Sequence, residues 1–263
     1  MSRFQCTFQS IALNVPTTIT VTLPFPLFDA RTLGLELDDF YPPRQKFKCL
    51  YLLHGAFSDS SSWSLRSRIE EYADRHRLAV IMPNVGNSFY ADLLHGPAYW
   101  TFVSEELPRF VRSVFPLSER REDNFVAGLS MGGYGAFKLA LNKPQNFAAG
   151  ISLSGVLDIV DVMHAPIHPL FDVNEYYGGF EQLEGSANDL FAQLGRLKQQ
   201  GAPIPRLYMA CGLEDSLYAM NAKFRDWAQT NSVPVTYEEG PGDHDWDFWD
   251  PYIRRALDWI DVG

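Results

Sequence analysis

Apolar residues along this chain change their spacing in a regular way, and the changes mark out strands and helices. Residues 3–13 and 16–24 alternate polar and apolar positions and are rich in Thr and Val, as two half-buried strands would be. Residues 47–53 run almost continuously apolar, as do 78–82 ahead of Pro83, which predicts strands covered on both faces. Between those two runs, 64–76 carries a helical spacing. Further helices are predicted at 99–114, 133–142, 218–229 and 246–260, and further strands at 124–127, 147–153, 206–211 and 233–237. Residues 29–45 read as a loop, with Pro42-Pro43 marking a turn. Strands alternating with helices predict an α/β fold with a mostly parallel central sheet flanked by helices. The stretch 157–205 breaks the rhythm between two core strands and is expected to form a cap-like insertion. With no repeat or low-complexity tract, residues 1–263 are expected to form a single domain.

Composition narrows the classes. Hydrophobic residues make up 46% and aromatic residues 14% of the chain, enough to fill a core and line a pocket. The formal charge of −10 argues against nucleic acid or an anionic membrane as the main partner. No apolar stretch is long enough to span a bilayer, and the first residues lack a cationic head followed by an apolar segment, so a cytoplasmic protein is expected. Cys6, Cys49 and Cys211 are odd in number and widely spaced; Cys49 and Cys211 fall in strand-like runs and read as small buried hydrophobes.

The most informative residues are Gly128-Leu129-Ser130-Met131-Gly132. A Gly-x-Ser-x-Gly pattern alone is weak; here it directly follows a predicted strand and precedes a predicted helix, the placement a nucleophile elbow requires. A serine at the apex of so sharp a turn adopts strained backbone angles, and glycines on either side remove Cβ atoms that would collide. Gly133 and Gly135 are expected to let the helix approach the sheet. The Ser130 hydroxyl would then stand near the positive end of a helix. An oxyanion hole needs two convergent N–H donors. Met131 is expected to supply one, and the loop Leu53-His54-Gly55-Ala56-Phe57 the other, from Ala56 in preference to Phe57. His54 is expected to brace that loop, since the base should follow the last strand.

In this topology the acid precedes the base along the chain. Gly212-Leu213-Glu214-Asp215 leaves a predicted strand, and Asp215 is favoured over Glu214 because the shorter side chain loses less entropy on ordering; Asp158 is a third option. His244, in Gly242-Asp243-His244-Asp245-Trp246, is the only histidine after Asp215. Ser130, Asp215 and His244 therefore form the candidate catalytic set, and such a set needs no cofactor. No metal is expected: Asp243, Asp245, Asp247 and Asp250 suit an acidic helix start, and Pro166 between His164 and His168 argues against a helical ligand pair.

Leu52-Leu53-His54-Gly55, Trp63, Met82-Pro83, Gly86-Asn87-Ser88-Phe89-Tyr90, Glu105-Glu106-Leu107-Pro108, Gly-Leu-Ser-Met-Gly-Gly at 128–133, Cys-Gly-Leu-Glu-Asp at 211–215 and Gly-Asp-His-Asp-Trp at 242–246 together resemble the esterase D family. The likeness is greatest to its tributyrin-esterase branch and covers nearly the whole chain. It implies an α/β-hydrolase fold with an eight- or nine-stranded sheet, often oligomeric, that hydrolyses short-chain acyl esters. It also supports Ser130, Asp215 and His244 position by position. S-formylglutathione hydrolases share the broader family, but their usual Ser-Gly-Leu-Thr-Cys loop differs from His54-Gly55-Ala56-Phe57. Feruloyl and acetylxylan esterases are similar too. Trp63, Tyr90 and Trp246 are expected to line the substrate pocket, with Phe89 and Trp100 as further candidates. An acyltransferase on the same triad and a non-catalytic ligand-binding protein are the competing readings.

Overall fold

Alternation along residues 48–53 sends Cys49, Tyr51 and Leu53 into one apolar cluster and Leu50 and Leu52 into another, so this strand has a core on each face. A computed structural model of the protein describes residues 1–25, 33–42, 45–165 and 171–261. Eight strands form one sheet: β1 (Ser2–Gln9), β2 (Pro16–Leu23), β3 (Lys48–Leu53), β4 (Leu78–Met82), β5 (Asn124–Leu129), β6 (Ala149–Leu153), β7 (Arg206–Gly212) and β8 (Val235–Gly240). Their order is β1-β2-β4-β3-β5-β6-β7-β8. β1 pairs antiparallel with β2, and β2 with β4; every pairing from β4 to β8 is parallel.

The sheet's two faces are covered by different helices. Ile69, Tyr72 and Ala73 pack with Phe248, Trp249, Ile253 and Leu257 of the C-terminal helix Trp246–Asp261 on the side that receives Leu50, Leu52, Phe125 and Ala127. Val103, Leu107 and Val111, with Tyr134 and Phe137 of the helix Met131–Asn142, cover the side that receives Tyr51, Val126 and Met209. The expected insertion contains the helices Ile159–His164, Val173–Tyr177, Phe180–Leu183 and Leu190–Gln199.

The strand expected at 3–13 ends at Gln9, the one expected at 233–237 is Val235–Gly240, β2 is more buried than the half-buried strand expected, and three further elements differ in kind. The helix predicted at 64–76 is two helices, Ser62–Arg66 and Ile69–Arg75. Between them Ser67 is extended, with both its N–H and its hydroxyl on Trp63 O, and the Arg68 N–H donates to Asp250. The helix expected at 99–114 widens into a π turn at Phe102–Glu106 just ahead of Pro108, which has no N–H to offer the preceding turn. The loop at 29–45 holds one helical turn, Leu37–Phe40, closed by Asp39 accepting from the Glu36 N–H; residues 26–32, 43 and 44 lie outside the described residues. No helix among the described residues is long and apolar enough to cross a membrane.

Candidate active site

Parallel strands deliver their C-terminal ends to one edge of a sheet, and a ligand site is favoured where the strand order changes direction. β3 and β5 are neighbours at that point, and the loops after β3, β5, β7 and β8 carry Ala56, Ser130, Asp215 and His244. Ser130 sits between β5 and its helix with φ 54° and ψ −122°, in a region unfavourable for a side chain. Its N–H donates to Leu153 O at 2.9 Å, and its carbonyl accepts from Gly133, Tyr134 and Val156, so the turn is held on both sides. A Cβ on Gly128 would collide with the Gly132 carbonyl, and one on Gly132 would stand 2.5 Å from Leu53 O. The elbow closes only because both positions lack one. Gly135 serves another purpose than expected: it faces the Tyr90 ring, not the sheet.

The three candidate residues meet. His244 Nε2 lies 3.0 Å from Ser130 Oγ, and His244 Nδ1 lies 3.0 Å from each Asp215 carboxylate oxygen. With the carboxylate accepting, Nδ1 carries the proton and Nε2 is left to accept from the serine. The Asp215 side chain is fully buried, while the imidazole is about a quarter open to solvent. Burial alone would raise the Asp215 pKa; hydrogen bonds from His244, from the Ser154 hydroxyl and from the Leu217 N–H outweigh it and hold the carboxyl below its ordinary value. The Leu217 N–H donates to Asp215 Oδ1 at 2.7 Å.

The alternatives to Asp215 are engaged elsewhere. Glu214 accepts from the Gly242 N–H at 2.6 Å and so steadies the loop that carries His244. Asp158 caps its helix by accepting from the Asp161 N–H and pairs with Lys223. Asp245 caps the C-terminal helix through the N–H groups of Asp247 and Phe248, as an acidic helix start does. His164 stacks on Phe180 and contacts Glu184; His168 and Pro166 lie outside the described residues.

Two residues at the site carry no motif in the sequence. Ser154, just past the end of β6, is fully buried with φ 48°. Its Oγ accepts from Trp249 Nε1 at 3.0 Å, and its hydroxyl helps to hold the Asp215 carboxyl below its ordinary value. The Trp249 ring also stands edge-on to the His244 imidazole at 4.9 Å. A serine following a strand is the one trace of this in the sequence, and a Ser-Gly pair there is too common to single out.

The loop after β3 is held from several directions. His54 donates from Nδ1 to Gly55 O at 2.7 Å and accepts the Val85 N–H at Nε2, and burial lowers its pKa, so it is a neutral brace. The Phe57 N–H is taken by Asn87 Oδ1 at 2.6 Å, whereas the Ala56 N–H has no acceptor among the described residues. Met131, the first residue of its helix, has no intrahelical acceptor for its N–H.

The expected pocket residues fare differently. Trp63 is 1% exposed, its Nε1 donating to Leu53 O and its ring packed against Trp246; it is a core residue. Tyr90 is completely buried, with its hydroxyl on His54 O, and so it props the loop instead of meeting a ligand. Phe89 is buried against Phe171 and Tyr134, and Trp100 lies under the Lys138 amine. Trp246 is half-buried, edge-on to both Trp63 and Trp249. Large aromatic residues near a site are drawn into the core by the area they bury. Phe57 is the exposed exception, 65% open beside Ala56.

Comparison with known proteins bears on the family and the class of activity. The family described as "Putative esterase" matches residues 29–260. An acetyl esterase of Caldicellulosiruptor saccharolyticus is 37% identical over 99% of this chain and 98% of its own. Among solved structures, a substrate-bound fluorophosphonate-binding serine hydrolase of Staphylococcus aureus superposes with a TM-score of 0.87 at 35% identity, covering 98% of both chains. An S-formylglutathione hydrolase of the same organism does so with a TM-score of 0.84 at 34% identity, also over 98% of both chains. The fold is that of the α/β-hydrolases and the activity class is that of a serine carboxylic ester hydrolase. A serine on a strained elbow, hydrogen-bonded to an imidazole that a buried carboxylate orients, is what that class needs, and the chain belongs to the Putative esterase family.

Proposed function

We propose that this protein hydrolyses short-chain acyl esters of small molecules, acetyl esters foremost, with Ser130 as nucleophile, His244 as general base and Asp215 as the orienting acid. The observation that carries the reading is the unbroken line of 3.0 Å contacts from Asp215 through His244 to Ser130. His244 Nε2 takes the hydroxyl proton as Ser130 Oγ attacks the carbonyl carbon. The oxyanion that forms is received by the N–H groups of Met131 and Ala56. His244 returns the proton to the departing alcohol, leaving an acyl-enzyme; it then activates water, which releases the acid and restores Ser130. Asp215 holds Nδ1–H and stabilises the imidazolium in both steps. Phe57, exposed beside Ala56 and 6.1 Å from the Phe171 ring, offers an apolar wall for a small acyl group. The whole-length likeness to an acetyl esterase supports the acetyl preference, and the motif set supports the tributyrin branch of the esterase D family.

A second reading, thioester hydrolysis of the S-formylglutathione type, is favoured by the 34% identity with the staphylococcal enzyme along the entire chain. Assays of p-nitrophenyl acetate, butyrate and dodecanoate beside S-formylglutathione separate the two. Highest kcat/KM on the acetyl or butyryl ester supports the first reading; preference for the thioester replaces it with the second. Ser130→Ala is expected to abolish turnover on each while the fold persists by circular dichroism, a loss of about a million-fold where a triad serine is removed. Retained turnover in that variant would show that the nucleophile lies elsewhere.

A further inference from the structure

The helix Met131–Asn142 meets the loops after β3 and β4 along one face. Gly132, in its first turn, abuts the carbonyls of Leu53 and His54; a Cβ there would lie 2.5 and 2.7 Å from their oxygens. Gly135, one turn on, receives the flat of the Tyr90 ring, which a Cβ would strike at Cδ2. Lys138, a further turn along, donates from Nζ to the Tyr90 carbonyl at 2.8 Å. Tyr90 in turn donates its hydroxyl to His54 O at 2.8 Å, two residues ahead of Ala56. One side chain thus ties the helix that begins at Met131 to the loop that contains Ala56.

The surroundings of Lys138 are unfavourable for a lysine with no such task. The residue is 2% exposed, and no carboxylate among the described residues lies within ion-pair distance of its amine. The nearby Asp92 carboxylate is occupied by the N–H and hydroxyl of Thr101. The rings of Trp100 and Tyr134, at 4.8 and 5.7 Å, face the charge. Burial lowers the amine pKa to about 7, outweighing the opposing charge of Asp92. A buried amine with no counter-ion beside it is less favourable than an apolar side chain of the same size. Its partner explains why it is there. Phe89 and Tyr90 have φ of 45° and 52°, two successive side-chain-bearing residues in the left-handed region, which side chains disfavour. Ser88 holds the N–H groups of Tyr90 and Ala91, and the Lys138 amine holds the Tyr90 carbonyl.

We propose that Lys138 is a positioning residue for ester hydrolysis: by clamping Tyr90, it fixes the spacing between the Met131 and Ala56 N–H groups that receive the oxyanion. This rests on the oxyanion assignment above. Displacing one donor by a fraction of its hydrogen-bond length spares substrate binding and weakens the hold on the tetrahedral intermediate, so kcat suffers and KM does not.

The test compares Lys138→Met and Tyr90→Phe, singly and together, on p-nitrophenyl acetate, with inhibition by a trifluoromethyl ketone whose adduct with Ser130 places an oxyanion in the hole. Each single variant is expected to lose about tenfold to a hundredfold in kcat with KM changed by less than about twofold. Affinity for the trifluoromethyl ketone falls by the same factor, and the double variant is no worse than the poorer single. Tyr90→Phe removes one oxygen and keeps the ring, so it carries the test if Lys138→Met does not fold. Unchanged kcat in folded variants, or a loss confined to KM with inhibitor affinity intact, overturns the clamp. Ser130→Ala is the companion control: if it is inactive while the clamp variants are normal, the clamp alone fails, and if it is active the underlying assignment fails.

Discussion

Ser130 holds a backbone conformation that side chains avoid, and so does Ser154 behind it. Both owe their angles to hydrogen bonds made at strand ends: Ser130 N–H to Leu153 O, and Ser154 N–H to Ala210 O. The Trp249–Ser154–Asp215 contacts extend the triad by two members, one of which also packs on His244. Ser154→Ala removes a donor to Asp215 and strands the Trp249 N–H. It is expected to lower kcat/KM about tenfold, equivalent to about 1.4 kcal/mol. Trp249→Phe should lose a similar amount, and the pair less than the sum, because they break the same chain. Steady-state kinetics on the two singles and the double measure this directly. Strict additivity would mean that the residues act independently.

The strand–elbow–helix unit is built around contacts too close for side chains. Gly128 and Gly132 let the helix fold back on its strand, and Gly132 also lets it press against the loop after β3. Those contacts are with backbone atoms, which cannot swing aside as a side-chain tip can. Gly132→Ala is therefore expected to cost about 1–3 kcal/mol of stability through overpacking. Because the displaced atoms belong to Leu53 and His54, turnover should fall as well. A urea melt and a kcat measurement on the same preparation give both effects; a variant with wild-type stability and activity would contradict the close approach. The C-terminal helix contributes differently. Its start is capped by Asp245, and its first turn brings Trp249 to the imidazole's flank, so His244 stands on a loop fixed at both ends.

Across the fold, the same Lys138 that serves the clamp makes stability depend on pH. Its amine sits at about 7 in the folded chain against an ordinary 10.5. Between those values the unfolded chain holds a proton that the folded chain has released, so stability rises with pH through this window. Below about 7 both states are protonated, and the fold bears the full cost of the buried charge. The Tyr134 hydroxyl near the amine is pushed well above its usual value by burial and stays neutral there. Lys138→Met should remove the slope: unfolding free energies from urea titrations across the window, rising in the parent, become flat. A slope that survives the substitution would place its origin in other groups. Asp215 works at the opposite end. Its folded pKa lies below 3.8, so its stabilisation is complete above that value and is lost as pH falls through the folded one. In Asp215→Asn, acid unfolding should begin less steeply.

The parallel sheet, the elbow and the three candidate residues that meet at 3.0 Å could be read from the chain because each is announced by a short run or motif. Continuous apolar runs mark buried strands, a Gly-x-Ser-x-Gly after a strand marks a turn that only glycines permit, and the order acid-then-base belongs to the topology those strands announce. The break at Ser67 and the widened turn before Pro108 were out of reach of spacing alone. Asp250, far along the chain, takes the Arg68 N–H at the break, and the π turn at Phe102–Glu106 answers to the missing N–H of Pro108 and not to apolar spacing. The same holds for Trp63 and Tyr90. An aromatic side chain looks alike in sequence whether it lines a pocket or fills a core, and only assembled packing shows that one is held on Leu53 O while the other props His54. Ser154 and Lys138 matter through partners 95 and 48 residues away, at Trp249 and Tyr90, separations that no local pattern encodes. Local regularity determines where strands and the elbow form; contacts between distant segments decide which side chains reach the site, because only folding brings them within hydrogen-bond range.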